Sequence, residues 1–135
     1  MKTIKQQLMH ILESQGFEQY RFDSNPDDPD NEFVLILSDA MIIQVGENKR
    51  TVILDFNIAA LPTIVSALTI LFCTYLEDVK IVAGESFTYN EEDGGILYGE
   101  EAKNYIYSKA IKSEKSEELE NFEKSGNVKS NRTIH

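Results

Sequence analysis

The chain opens with Ile4, Leu8, Ile11 and Leu12, an i, i+4, i+7, i+8 spacing that lines one side of an α-helix. Gly16 ends that helix. As the left-handed residue beyond the cap it lets Phe17 fold back on Leu12 in a Schellman-type ending. Tyr20 and Phe22 then suggest a short first strand. From Asp23 to Glu32 the segment DSNPDDPDNE has two prolines and no apolar residue, which predicts an exposed loop. Three apolar runs follow: Phe33 to Ser38, Met41 to Gly46, and Thr51 to Phe56. The gaps between them are short enough for hairpins, so they predict an antiparallel meander. Because the runs are nearly continuous in apolar residues, at least the central strand is expected to be covered on both faces.

Pro62 stands where an N1 proline would start a helix running to about Leu76. Ile64, Leu68, Leu71, Phe72 and Tyr75 gather on one side and are expected to lie on the sheet. Thr63, Ser66, Ala67, Thr69, Cys73 and Thr74 share the other side with Ile70. Such a small-residue face lets another helix approach closely, whether helix 1 or helix 3 of this chain or a symmetry mate. Val79 to Tyr89 reads as a strand with a bulge or bend at Gly84. Asn90 to Gly95 is an acidic turn, and Ile96 to Tyr98 is a short return strand. GEEAKNYIYSKAI opens a third helix with Ala102, Tyr105, Ile106 and Lys109 on its inner stripe. Past Ile111 the stripe fails, which predicts solvated helix to about Lys124 and disorder afterwards. The expected fold is α+β, an antiparallel sheet of about five strands with helices packed on it, in the order α-β-β-β-β-α-β-β-α. Residues 1–111 form the single domain; residues 112–135 form a polar helical extension and a disordered tail.

Composition adds one uneven property to this picture, which is charge. The 135 residues are 41% apolar, enough for one core, and carry 13 basic against 23 acidic side chains for a net −10. Six acids and no base fall between Asn25 and Glu47, and six acids and no base between Ile81 and Glu101. Segregated negative charge disfavours direct contact with nucleic acid and favours a cationic protein partner. In an extended segment, Asp28, Asp30 and Glu32 would recur on one side about every 6.6 Å, of the order of the backbone phosphate spacing, so mimicry of nucleic acid is a physical option. The candidate partner-binding residues are Asp27, Asp28, Asp30 and Glu32 in the first segment, and Glu91, Glu92, Asp93, Glu100 and Glu101 in the second. Tyr98 joins them from the cluster of Phe87, Tyr89, Tyr98, Tyr105 and Tyr107. If the fold brings the segments together, the charge is a surface with a direction; otherwise it serves solubility.

No catalytic, cofactor or metal signature emerges. Asp23, Asn25 and Asp27 are spaced like the start of a calcium loop, but Asp28 stands where glycine is needed and Val34 where the bidentate glutamate belongs. His10 lies on the first helix and His135 is the last residue, so neither is placed as a base for Cys73 or a serine. Cys73, the lone cysteine, sits in the apolar run TILFCTYL and reads as a small buried hydrophobe in a reducing compartment. The apolar stretch from Leu61 to Leu76 is shorter than the roughly 20 residues of a membrane span, and the N-terminus has no signal-peptide pattern, so a cytoplasmic address is expected.

These features predict a non-enzymatic protein-binding module, an acidic inhibitor or modulator of a cationic nucleic-acid-handling protein. Small inhibitors of the type encoded by phages and mobile elements fit this charge and lack of chemistry. In element order, size and charge, most of the first 110 residues also resemble the small acidic dimeric chaperones of type III secretion. That resemblance implies a homodimer holding an extended partner segment on its sheet. The long DSNPDDPDNE loop departs from the pattern.

Overall fold

The computed structural model describes residues 2–124, with side chains over 2–111. The first helix, α1 (Ile4–Ser14), buries the stripe Ile4, Leu8, Ile11 and Leu12 that its spacing predicts. Thr3 and Gln6 close its start as a reciprocal capping box. Glu47, far along the chain, accepts from the backbone N–H groups of Ile4 (2.8 Å) and Lys5 (3.0 Å), so a carboxylate sits on the helix's positive end. At the other end Gly16 takes φ +74°. Phe17 N–H then donates to the Leu12 carbonyl at 3.0 Å and Gly16 N–H to that of Glu13 at 3.2 Å, the two bonds of the Schellman ending.

Six strands lie side by side in chain order: β1 (Tyr20–Ser24), β2 (Glu32–Leu37), β3 (Met41–Gly46), β4 (Thr51–Asn57), β5 (Lys80–Tyr89) and β6 (Ile96–Tyr98). All neighbours are antiparallel except β4 and β5, which are parallel. The element order is the expected one, but the sheet is mixed and has six strands, not about five in a wholly antiparallel arrangement. The reason is α2 (Pro62–Tyr75), which carries the chain back along the sheet so that β5 starts at the same end as β4.

Helices α1 and α2 pack on one face, against Phe33, Leu35, Leu37, Met41, Ile43, Val45, Val52 and Leu54. Phe87 and Ala102 are buried outside that cluster, where α3 (Gly99–Lys124) lies against β5 and β6. Ile42 is buried between neighbours that face the first core, so β3 is covered on both faces as expected. On α3 the inner stripe also holds. Ala102 is buried and Tyr105, Ile106 and Lys109 are half-buried, while Tyr107 is exposed. The expectation of disorder over 125–135 lies outside the described residues.

α2 departs from its expected stripe. Leu68 and Phe72 are buried with Leu76 just beyond, and Val65 and Leu71 are half-buried, but Ile64 and Tyr75 are exposed. Cys73 is exposed as well, not a buried hydrophobe. Both corrections have one cause: α1 occupies the same sheet face, so α2 presses in along a narrow edge only. Its small-residue side, with Ile70 at its centre, is not covered by α1 or α3 side chains among the described residues.

Two side chains bind the helical layer to the sheet's turns. Gln7 holds Glu77 at both backbone atoms, donating to its carbonyl (3.1 Å) and accepting from its N–H (2.7 Å). Arg50 donates to the carbonyls of Lys2, Glu77 and Asp78 at 3.0, 3.3 and 3.1 Å. Among the described residues no helix is long and apolar enough to cross a membrane.

Candidate functional site

Strand directions decide where the acids fall. The β1–β2 loop and the β3–β4 turn lie at the end where β4 and β5 begin, because Glu32 pairs with Gly46, Gly46 with Thr51, and Thr51 with Lys80. The β2–β3 and β5–β6 turns lie at the end where β4 and β5 finish. Asp27, Asp28, Asp30 and Glu32 are therefore at the opposite end of the sheet from Glu91, Glu92 and Asp93. The two groups do not make one surface.

The first group is not extended either. Asp28 N–H donates to Asn25 O, and Asn31 and Glu32 N–H both donate to Asp28 O, so the segment folds into tight turns. The phosphate-like 6.6 Å repeat of Asp28, Asp30 and Glu32 is thereby lost. Pro26 and Pro29 favour turning, and the asparagines complete it. Asn25 accepts from Asp27 N–H and donates to the Glu32 carboxylate (2.8 Å), while Asn31 donates to Asp28 (2.9 Å) and accepts from Asn48 N–H (2.6 Å). Glu100 and Glu101 occupy the first turn of α3, where their charge complements the helix's positive end. Tyr98 sits on β6 with its ring 6.2 Å from that of Phe87.

At the other end the curl of the sheet makes a meeting that the sequence does not show. A cleft of about 570 Å³ opens between the β2–β3 turn, the end of β5 and the start of α2. Leu37, Leu61, Ile64 and Leu68 give it apolar walls, and Asp39 and Glu91 line it from the two different acidic segments. Its floor is stitched by the end of β4. Asn57 N–H donates to Ala40 O and Ile58 N–H to Phe87 O, both at 2.9 Å. The Asn57 side chain donates to Asp39 O at 2.7 Å and accepts from Ala59 N–H at 2.9 Å. Comparison with protein families, curated proteins and solved structures finds no match.

The Tyr89 phenol is raised above its ordinary value first by burial and then by the Asp39 charge, with Arg21 opposing. Glu91 is steadied from α3: its N–H donates to the Tyr105 hydroxyl at 3.1 Å, and its carboxylate pairs with Lys109. That pairing holds Lys109 above its ordinary value through the hydrogen bond. Glu92 and Asp93 follow in the same turn. Among the described residues lining the cleft there is no lysine or arginine.

One further acid is set apart by burial. Asp55, 1% exposed, accepts from Gln44 Nε2 at 2.6 Å and from Glu85 N–H at 3.0 Å. Its carboxyl is raised, mainly by burial, with the two hydrogen bonds pulling back and the Glu85 charge adding to the rise. The ladder slips here, with Gly84 and Glu85 of β5 opposite the single Asp55 of β4, which is the bulge expected at Gly84. Nothing in the sequence marked Asp55 out, since in TVILDF it reads as a solvent-facing strand residue.

Proposed function

We propose that this chain is a non-enzymatic protein-binding module whose partner presents a cationic surface. The observation that supports it is the cleft: acids from both charged segments, Asp39 and Glu91, line one apolar depression, with Glu91 paired to Lys109 of α3 and no basic side chain among the described lining residues. A protein that handles nucleic acid has a cationic surface of this kind, and a bound acidic module would neutralise or modulate it. The acids at the β1–β2 loop would act separately, as solubilising charge or in long-range steering. An affinity pull-down from the source cell at low and high salt tests the reading. The captured partner should be released as ionic strength rises, because exposed charges are screened beyond a Debye length of about 8 Å at physiological salt. A partner retained equally at both salt levels would overturn it.

A second reading, the dimeric chaperone, is favoured by α2. Leu61, Ile64, Ile70 and Tyr75 are exposed on or beside a helix that contains no charged residue. This reading predicts a constitutive dimer by light scattering and partner binding that tolerates salt.

A further inference from the structure

Building on the cationic-partner reading, we propose that the cleft is the receptor for a peptide segment in which an aliphatic anchor side chain is flanked by lysine or arginine. Its volume of about 570 Å³ falls within the roughly 300–1,000 Å³ usual for ligand clefts. Two of its apolar walls are unusually open, Leu61 at 64% and Ile64 at 45% exposure. Burying them would return apolar surface to a dry environment. Asp39 beside them is exposed, so it selects by charge and not by a fixed hydrogen-bond direction, while the Glu91 carboxylate already pairs with Lys109.

That combination disfavours the other occupants. A small polar metabolite would meet a mostly apolar lining, with Gln19, Ser38, Thr88 and Tyr89 as the neutral polar side chains besides Asn57. Asn57, the buried amide there, already spends both side-chain atoms on Asp39 and Ala59, and no buried side-chain polar atom among the described residues lacks a partner. Nucleic acid and a second copy of this chain, at −10, both bring negative charge towards Asp39 and Glu91. A lysine or arginine beside an apolar anchor satisfies both parts, because its aliphatic stem can lie along the walls while its head reaches the Asp39 carboxylate.

The test is fluorescence anisotropy on the full chain with three labelled nonapeptides: alternating leucine and lysine, alternating serine and lysine, and alternating leucine and glutamate. The leucine–lysine peptide should bind, the serine–lysine peptide at least tenfold more weakly, and the leucine–glutamate peptide not at all. Leu61→Ser and Asp39→Asn, both at exposed positions, should each weaken leucine–lysine binding at least fivefold with unchanged far-ultraviolet circular dichroism. Equal binding of the serine–lysine peptide, insensitive to Leu61→Ser, would overturn the cleft as receptor while leaving the acidic-surface reading standing. So would equal binding of the leucine–glutamate peptide overturn it. Failure of both lysine peptides at low salt would overturn both readings.

Discussion

Gly84 and Asp55 show how narrowly one position can depend on another. A Cβ at residue 84 would stand 2.0 Å from Asp55 Oδ1 and 2.6 Å from Ile53 Cγ2, and the carboxylate is held by two hydrogen bonds, so it has little freedom to yield. Gly84→Ala is therefore expected to cost about 1–3 kcal/mol or more, the range for overpacking, measured by urea denaturation. Asp55 itself couples stability to pH. Because burial raises its folded-state pKa above the ordinary carboxylate range, the stability it supports is complete below that range and is lost as pH rises through the folded pKa. Asp55→Asn keeps the shape without the charge, so the wild type should lose ground against it as pH climbs from about 4 to 7. Parallel stability curves over that interval would show that Asp55 ionises freely. The glycine was readable as a bulge from its place inside a strand pattern, whereas the acid it accommodates was not, because a single Asp in an apolar run usually faces water.

Among the elements, those whose ends carry local chemistry were legible and those whose faces depend on neighbours were not. Gly16 and Phe17 ended α1 and Pro62 started α2 as the sequence implied, since caps are settled within a few residues. The buried stripe of α2 narrowed to Leu68 and Phe72, with Leu76 just beyond, because α1 competes for the same sheet face, which periodicity alone does not reveal. Glu47 was counted only as one more acid, yet its carboxylate caps α1 across 42 and 43 residues of chain. Glu47→Ala should cost about 1 kcal/mol, as for a lost helix cap, with Glu47→Gln recovering part of it. An unchanged urea midpoint in Glu47→Ala would mean that the Thr3 capping box suffices alone.

For the whole molecule, the direction of one strand settles how the charge is shared out. Had β5 run antiparallel to β4, its far turn would have carried Glu91, Glu92 and Asp93 to the end occupied by Asp27, Asp28, Asp30 and Glu32. The parallel pairing brings Glu91 instead to Asp39, around the cleft. The sequence carries one sign of this, the helix between β4 and β5 that a parallel crossover requires, although the apolar content of a strand says little about its direction. The outward side of α2 is the other feature at this scale. Ile70, 64% exposed, can be changed to Glu with little loss of fold, since surface substitutions usually fall within about 0.5 kcal/mol. If α2 joins two copies, Ile70→Glu should turn a dimer into a monomer by light scattering. A wild type that is already monomeric would leave the chaperone-like reading without support.

The clamp made by Gln7 and Arg50 on Glu77 and Asp78 has a consequence for how the chain is made. During vectorial synthesis α1 and the four-stranded meander leave the ribosome first, with the Gln7 amide still without Glu77 and the Arg50 guanidinium holding Lys2 but not yet Glu77 or Asp78. Phe72, the largest plug on that side of the core, is missing as well. The apolar face of the first half therefore lacks the cover of α2 until those residues have emerged. The parallel β4–β5 ladder and the contacts of Gln7 and Arg50 with Glu77 and Asp78 can form only once the second half has followed.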